Sequence, residues 1–261
     1  MRGSRSQVTT PLFSFVSVVV PAYNEVKSIA PTLREVVAYL GAKPYDFEVI
    51  VAADGNDGTR ELVRELAARD PRLKVIGSPE RGGKGRGVRE GMRIAQGDLV
   101  GFVDADNKTP IDEFDKFEPH FASGADLVIG SRGMLDSRVE RRQPLHRRLG
   151  AKVFAFGMHS VIGLDEIVDT QCGFKFFRRR AATDIFRRQR IDGYMFDVEI
   201  LHLATQAGYR IAQVPVRWRD DGDSRLDLVG GNLRNLADLL SLRFRPHRAD
   251  RVAEGDIEGR V

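Results

Sequence analysis

A single cysteine, Cys172, is all the thiol chemistry this chain has, alongside five histidines and one tryptophan. One cysteine excludes an intrachain disulfide, and so small a set of soft ligands offers no zinc site. A reducing, cytoplasmic compartment is therefore expected. No apolar run approaches the roughly 20 residues needed to cross a bilayer. Met1 to Thr10 are basic and polar without an apolar stretch, so they do not read as a secretory signal. No helix-turn-helix, RNA-binding or zinc-finger spacing occurs, and no nucleic-acid partner is expected. Neither sign of charge dominates, with 41 Lys and Arg against 37 Asp and Glu. The sequence pI is nonetheless about 9.3. The excess is local, because arginines crowd 132–148, 178–190 and 210–248. Such clusters suit anionic lipid or a phosphorylated substrate.

What is present is the pattern of an α/β domain. Val16–Val20, Phe47–Ala52, Leu73–Ile76 and Leu99–Val103 are largely apolar segments that predict four strands. Between them the spacing predicts helices from Ser28 to Leu40, from a Thr59 cap to about Arg69, and from the Arg81–Gly87 loop to Ala95. Repeated crossovers of this kind give a parallel sheet with helices on both faces, and all four strand exits then meet at one edge. Beyond them, Asp112–Phe121, Leu149–Val161, Ala181–Phe186 and Phe196–Ala207 read as helices. Asp126–Gly130, Asp169–Phe177 and Tyr209–Trp218 read as strands. Leu226–Arg245 reads as an amphipathic helix that either lies on a membrane or packs on the protein's own core. The expected organisation is a flexible start (1–12), one domain (13–245) and a flexible tail (246–261). Within the domain, 13–110 forms a first half, 111–225 a second half and 226–245 the amphipathic helix. Met1–Ser4 resembles a vector-derived leader and Ile257–Arg260 a protease site, although both can equally be native.

Each strand exit carries polar chemistry. Asp104 and Asp106 follow the fourth strand at i, i+2, where ligands sit in open α/β sheets. They are either a site for a hard divalent cation on a diphosphate or a solvated turn. Pro21-Ala22-Tyr23-Asn24-Glu25 leaves the first strand and can hold a ribose or base, with Glu25 accepting hydrogen bonds, or is an ordinary loop. Asp54 and Asp57 follow the second strand, but the first turn lacks the G-x-G-x-x-G of dinucleotide binding, so a single nucleotide fits better. The Arg81–Gly87 loop, without Walker A spacing, either brings backbone amides and Lys84 to phosphate or is a flexible basic turn. Cys172 has no histidine partner and reads as a small buried residue rather than a nucleophile. Asp197 and Glu199 are candidate acids or bases, or carboxylates that satisfy a helix N-terminus.

Taken together, these motifs resemble the inverting family 2 glycosyltransferases of GT-A fold, from Val16 to about Leu240. The V-V-P-A-Y-N-E opening, the glycine-lysine loop and the D-A-D are shared with dolichyl-phosphate mannose synthases. Val168–Lys175 followed by Phe196–Leu201 is more typical of dolichyl/polyprenyl-phosphate β-glucosyltransferases. The resemblance implies transfer of a hexose, with glucose favoured, from a nucleotide-diphosphate sugar (UDP-glucose or GDP-mannose) to a polyprenyl phosphate at the cytoplasmic membrane face. Transfer to a hydroxyl acceptor, with Asp197 or Asp169 as base, is the other enzymatic reading. A nucleotide- or anionic-surface-binding module without turnover is the third.

The same resemblance makes 13–110 a nucleotide-sugar half and 111–225 an acceptor half, and implies the residue roles. Pro21, Ala22, Tyr23, Glu25, Asp54 and Lys84 would hold the donor. Asp104 and Asp106 would bind Mg²⁺ or Mn²⁺, with Asp197 as a further catalytic candidate. Arg132, Arg147 and Arg148 would contact the acceptor phosphate, and Arg225 would reach a phosphate from a mobile motif. Two departures stand out. Ala53-Asp54-Gly55-Asn56 replaces the usual D-D-G-S, which touches the choice of UDP or GDP. Asn107-Lys108-Thr109 replaces small residues after the D-A-D, so that Lys108 can neutralise phosphate charge.

Overall fold

A computed structural model describes residues 12–134, 137 and 163–219. Strands β1 (Phe15–Tyr23), β2 (Asp46–Asp54), β3 (Leu73–Ile76) and β4 (Leu99–Val103) are joined by helices α1 (Ile29–Gly41), α2 (Thr59–Ala67) and α3 (Lys84–Ile94). A 3₁₀ turn (Ile111–Lys116), α4 (Glu118–Ala122) and β5 (Leu127–Ser131) follow. Then come β6 (Phe174–Arg178), α5 (Arg179–Arg188), α6 (Phe196–Gln206) and β7 (Ile211–Pro215). They form one seven-stranded sheet in the order β3-β2-β1-β4-β6-β5-β7. Strands β1 to β4 pair in parallel, as do β5 and β7, whereas β6 runs antiparallel to β4 and β5. The carboxyl ends of β1, β2, β4, β5 and β7 and the amino end of β6 therefore share one edge.

The central strands are mostly apolar because both faces are covered, and their exceptions are paired, as the Ser17 hydroxyl is with Glu48 at 2.7 Å. Val16, Val18 and Val20 of β1 join Leu33, Val36 and Leu40 of α1 on one face. Val19 meets Val88 and Met92 of α3 on the other. Helix α3 rides close to the sheet: a Cβ on Gly91 would lie 2.5 Å from Val19 Cγ1. Strand β6 alternates, sending Phe174 and Phe176 to the α1 face and Phe177 to the α3 face. Phe114, Phe117, Phe174 and Phe176 form an aromatic cluster there, with centroids 4.5–6.3 Å apart. Each such fully buried ring stabilises by about 1.5–3 kcal/mol.

The observed boundaries differ from the predicted ones for physical reasons. Gly58, left-handed at φ 94°, precedes α2, and Thr59 is its first residue rather than its cap. Asp57 Oδ1 accepts the Thr59 N–H at 3.0 Å instead. The predicted 112–121 helix divides into the 3₁₀ turn and α4, with Pro119 at the start of the latter. Residues 169–173 enter β6 as a loop rather than as strand. Helix α5 is longer than expected, and β7 is shorter. The predicted helices at 149–161 and 226–245 lie outside the described residues, as do Arg147, Arg148 and Arg225. Among the described residues no helix is long and apolar enough to cross a membrane.

Candidate active site

The loops after β1 and β2 are stitched into one surface. The Glu25 N–H donates to Thr59 Oγ1 at 2.8 Å and the Val26 N–H to Asp57 Oδ2 at 3.0 Å. Asn24, left-handed at φ 54°, accepts the Asn56 N–H at 3.2 Å. Gly55 is required beneath it, since a Cβ there would fall 2.1 Å from Asn24 Oδ1. Tyr23 pairs with Asp54 across β1 and β2 and carries the Arg81 guanidinium 4.6 Å above its ring. The Glu25 carboxylate accepts the Ser28 hydroxyl at 2.5 Å. Ala53, where the family pattern has a carboxylate, is fully buried in the apolar cluster with Ala22 and Val51.

Asp54 has an internal task. It accepts the Ser78 N–H at 3.1 Å and the Gly82 N–H at 2.8 Å, and so fixes the path of the glycine loop. That loop is not an open cradle of amides, contrary to one sequence reading. The Gly85 and Arg86 N–H groups donate to the Asp192 carbonyl at 2.8 and 3.3 Å. The glycines serve close approach instead, because a Cβ on Gly85 would lie 2.3 Å from the Ile191 carbonyl and 2.6 Å from Phe196 Cβ. The packing aims Lys84, the first residue of α3, at the end of β4. Its Nζ lies 2.7 Å from Asp104 Oδ1 and 5.8 Å from the Phe196 ring. Burial alone would lower the Lys84 pKa. The charges of Asp104, Asp197 and Asp106 outweigh it and raise the value above the ordinary lysine range, so the ammonium is charged.

Asp104 and Asp106 stand on a turn fixed from several sides. Thr32 Oγ1 donates to the Ala105 carbonyl at 2.8 Å, and left-handed Asn107 donates its amide to Glu35 at 2.5 Å. Lys108 Nζ sits 3.1 Å from Asp106 Oδ2, and its carbonyl accepts the Arg219 N–H at 2.9 Å. Gly173 forms the wall beside Asp104, where a Cβ would fall 2.0 Å from Oδ2. Replacing Gly173 with alanine is therefore expected to displace the Asp104 carboxylate. The expected result is at least about a hundredfold lower transfer, about 2.7 kcal/mol in the barrier, with the fold retained by circular dichroism.

Two carboxylates with hard oxygens match the way Mg²⁺ or Mn²⁺ is held, since such ions keep positions open for substrate phosphates. Among the described residues no group of three or more Asp, Glu, His or Cys gathers as an all-protein cage. The donor set thus fits a cation that arrives with a diphosphate, and the ammonium against Asp104 shows the position to be cation-receptive.

The acceptor side holds two more charge pairs. Arg132 grips Asp169 through its Nε at 2.7 Å, Nη2 at 2.9 Å and backbone N–H at 2.9 Å. Its guanidinium lies 5.6 Å from the Trp218 ring. Burial would raise the Asp169 pKa, but the Arg132 charge and hydrogen bonds hold it down to about 2. Asp197 is buried at the start of α6, where Lys175 Nζ donates to it at 2.5 Å and to the Cys172 carbonyl at 2.6 Å. The sequence reading passed over Lys175, although a lone lysine inside an apolar strand signals a buried partner. Glu199, the other carboxylate singled out there, accepts the Arg190 and Ile191 N–H groups at 3.0 and 2.7 Å, a structural clamp. Burial pushes the Cys172 thiol up to about 11. At pH 8 it is expected to resist Ellman's reagent in the native protein and to react fully once denaturant exposes it.

The model for the family described as "Glycosyl transferase family 2" matches residues 17–186. This chain belongs to glycosyl transferase family 2. Dolichyl-phosphate beta-glucosyltransferase ALG5C of Trichomonas vaginalis is 37% identical to it over 250 residues, covering 90% of this chain and 72% of that protein. The dolichyl-phosphate beta-glucosyltransferase of Dictyostelium discoideum is 32% identical, covering 88% and 74%. Among solved structures, glucosyl-3-phosphoglycerate synthase from Mycobacterium tuberculosis, in complex with UDP, aligns with a TM-score of 0.63 and 24% identity. That alignment covers 90% of this chain and 82% of that one. The likeness to it establishes the GT-A architecture for this family 2 glycosyltransferase.

Proposed function

We propose that this enzyme transfers glucose, with inversion, from UDP-glucose to dolichyl phosphate or another polyprenyl phosphate at a membrane surface. One observation carries the choice of acceptor. Both carboxylates that a hydroxyl acceptor would need as a base are committed to cations, Asp197 to Lys175 and Asp169 to Arg132. A phosphate monoester has a second pKa of about 6 and is largely a dianion at neutral pH. It is already nucleophilic and needs positioning by cations more than deprotonation. Arg132 supports this reading, since its Nε–Nη2 edge is anchored and its Nη1 makes no bond among the described residues. Arg147, Arg148 and Arg225 would complete the grip on phosphate, as the sequence pattern suggests. The names of the relatives favour the same acceptor and sugar.

On the donor side, Asp104 and Asp106 would hold Mg²⁺ or Mn²⁺, which stabilises the departing diphosphate. Lys84 and Lys108 add positive charge beside it, and Tyr23 and Glu25, at and just past the end of β1, would face the nucleoside. Pro21 and Ala22, read from sequence as part of an exit loop, are instead residues of that strand, with Ala22 in the core. The M. tuberculosis synthase has also been solved with Mn²⁺ and UDP, which supports uridine as the base. Thermal unfolding with Mn²⁺ tests the donor. UDP at a hundred times its Kd should stabilise by about 2.7 kcal/mol and raise Tm by several degrees, with GDP inert at the same concentration. Stabilisation by GDP alone would favour GDP-mannose instead.

A further inference from the structure

Each carboxylate of the D-A-D has its own lysine, but the two lysines are held differently. Lys108 is Asp106's neighbour in the same turn. Lys84 comes from another element, at the end of a loop tied by Asp54 to Gly82 and by the Asp192 carbonyl to Gly85. Its ammonium, 2.7 Å from Asp104 Oδ1, occupies one of the oxygens a metal would use. The Phe196 ring lies 5.8 Å from the ammonium, and the negative charge of Asp197 also acts on it. A bound diphosphate would add a further attractive partner.

We propose that Lys84 is a built-in counter-ion that guards Asp104 in the donor-free enzyme and yields it only when a nucleotide diphosphate arrives with its divalent cation. Metal and nucleotide then bind as a coupled pair, each raising the affinity for the other by the same factor. The inference rests on the reading of Asp104 and Asp106 as the donor's metal site. Its physical basis is the repulsion between an ammonium and a divalent cation drawn to the same carboxylate. Without nucleotide, a cation must displace Lys84 with no new anion to receive it. With nucleotide, the diphosphate oxygens receive the ammonium.

Mn²⁺ titrations followed by electron paramagnetic resonance, with and without UDP, test this on wild type, K84M, K84R and K108M. The expected result is that K84M binds Mn²⁺ about tenfold tighter than wild type without UDP, and that the gain on adding UDP shrinks by about the same factor. K84R should keep the wild-type pattern. K108M, which removes charge without freeing Asp104, should shift both affinities together. An unchanged Mn²⁺ affinity of K84M without UDP would overturn the inference, as would equal tightening with and without UDP. Melting curves identify a misfolded K84M, in which case K84Q replaces it. Binding of neither UDP nor GDP would defeat the donor reading itself. The Mn²⁺-only titration of K84M would then still decide whether Lys84 guards Asp104.

Discussion

Asp106→Ala is expected to lower the transfer rate at least about a thousandfold, equivalent to about 4 kcal/mol in the barrier, while Tm stays within a few degrees of wild type. The carboxylate is partly exposed, and among the described residues its bonds are to Lys108, within its own turn. The fold therefore loses little when it goes. On the proposed metal reading, the reaction would lose one of two carboxylate ligands for the cation and one fixed charge at the diphosphate. A coupled assay of UDP release and a thermal melt on the same preparation separate these effects. Activity near wild type in a well-folded variant would remove Asp106 from the metal site.

The second large effect concerns stability. Lys175 is fully buried and Asp197 nearly so, 2.5 Å apart. Removing one partner leaves the other charge uncompensated in an apolar layer, at a cost of about 3–5 kcal/mol. K175M is therefore expected to unfold at markedly lower urea concentration. A K175M/D197L double variant, which replaces the pair with apolar groups of similar size, should recover most of that loss. The double variant also assigns Asp197. General bases contribute about 10²–10⁴-fold. If Asp197 is a counter-ion, as its geometry argues, the stable double variant should keep activity within about tenfold of wild type. A stable double variant with activity lost by three orders of magnitude would return Asp197 to the chemistry.

Why some of this was readable from sequence, and some was not, follows from where the determining forces act. Strands β1 to β4 are local facts: short, largely apolar, valine-rich runs bounded by proline, glycine and aspartate, the first three each followed by an amphipathic helix. Their parallel pairing and common exit edge follow from the crossovers. The antiparallel direction of β6 is not local, because composition says nothing of which way a strand enters a sheet. The glycine loop misled in an instructive way. Gly85 looked like room for phosphate, yet it faces protein, the 191–196 segment. Asp197 and Lys175 lie 22 residues apart in sequence. Each was an anomaly in an apolar element, and pairing was the one arrangement that made both affordable. Arg132 and Asp169 were each visible, but the bidentate contact between them required the β5 and β6 ends to converge.

Radiolabelled UDP-glucose and GDP-mannose, each with Mn²⁺ and with or without a polyprenyl phosphate, test the assignment of glucose transfer to a lipid phosphate most directly. Label is expected in the lipid phase from UDP-glucose alone, and only when the polyprenyl phosphate is present. UDP-glucose that leaves the lipid phase unlabelled, while a soluble hydroxyl acceptor takes up the sugar, would contradict it.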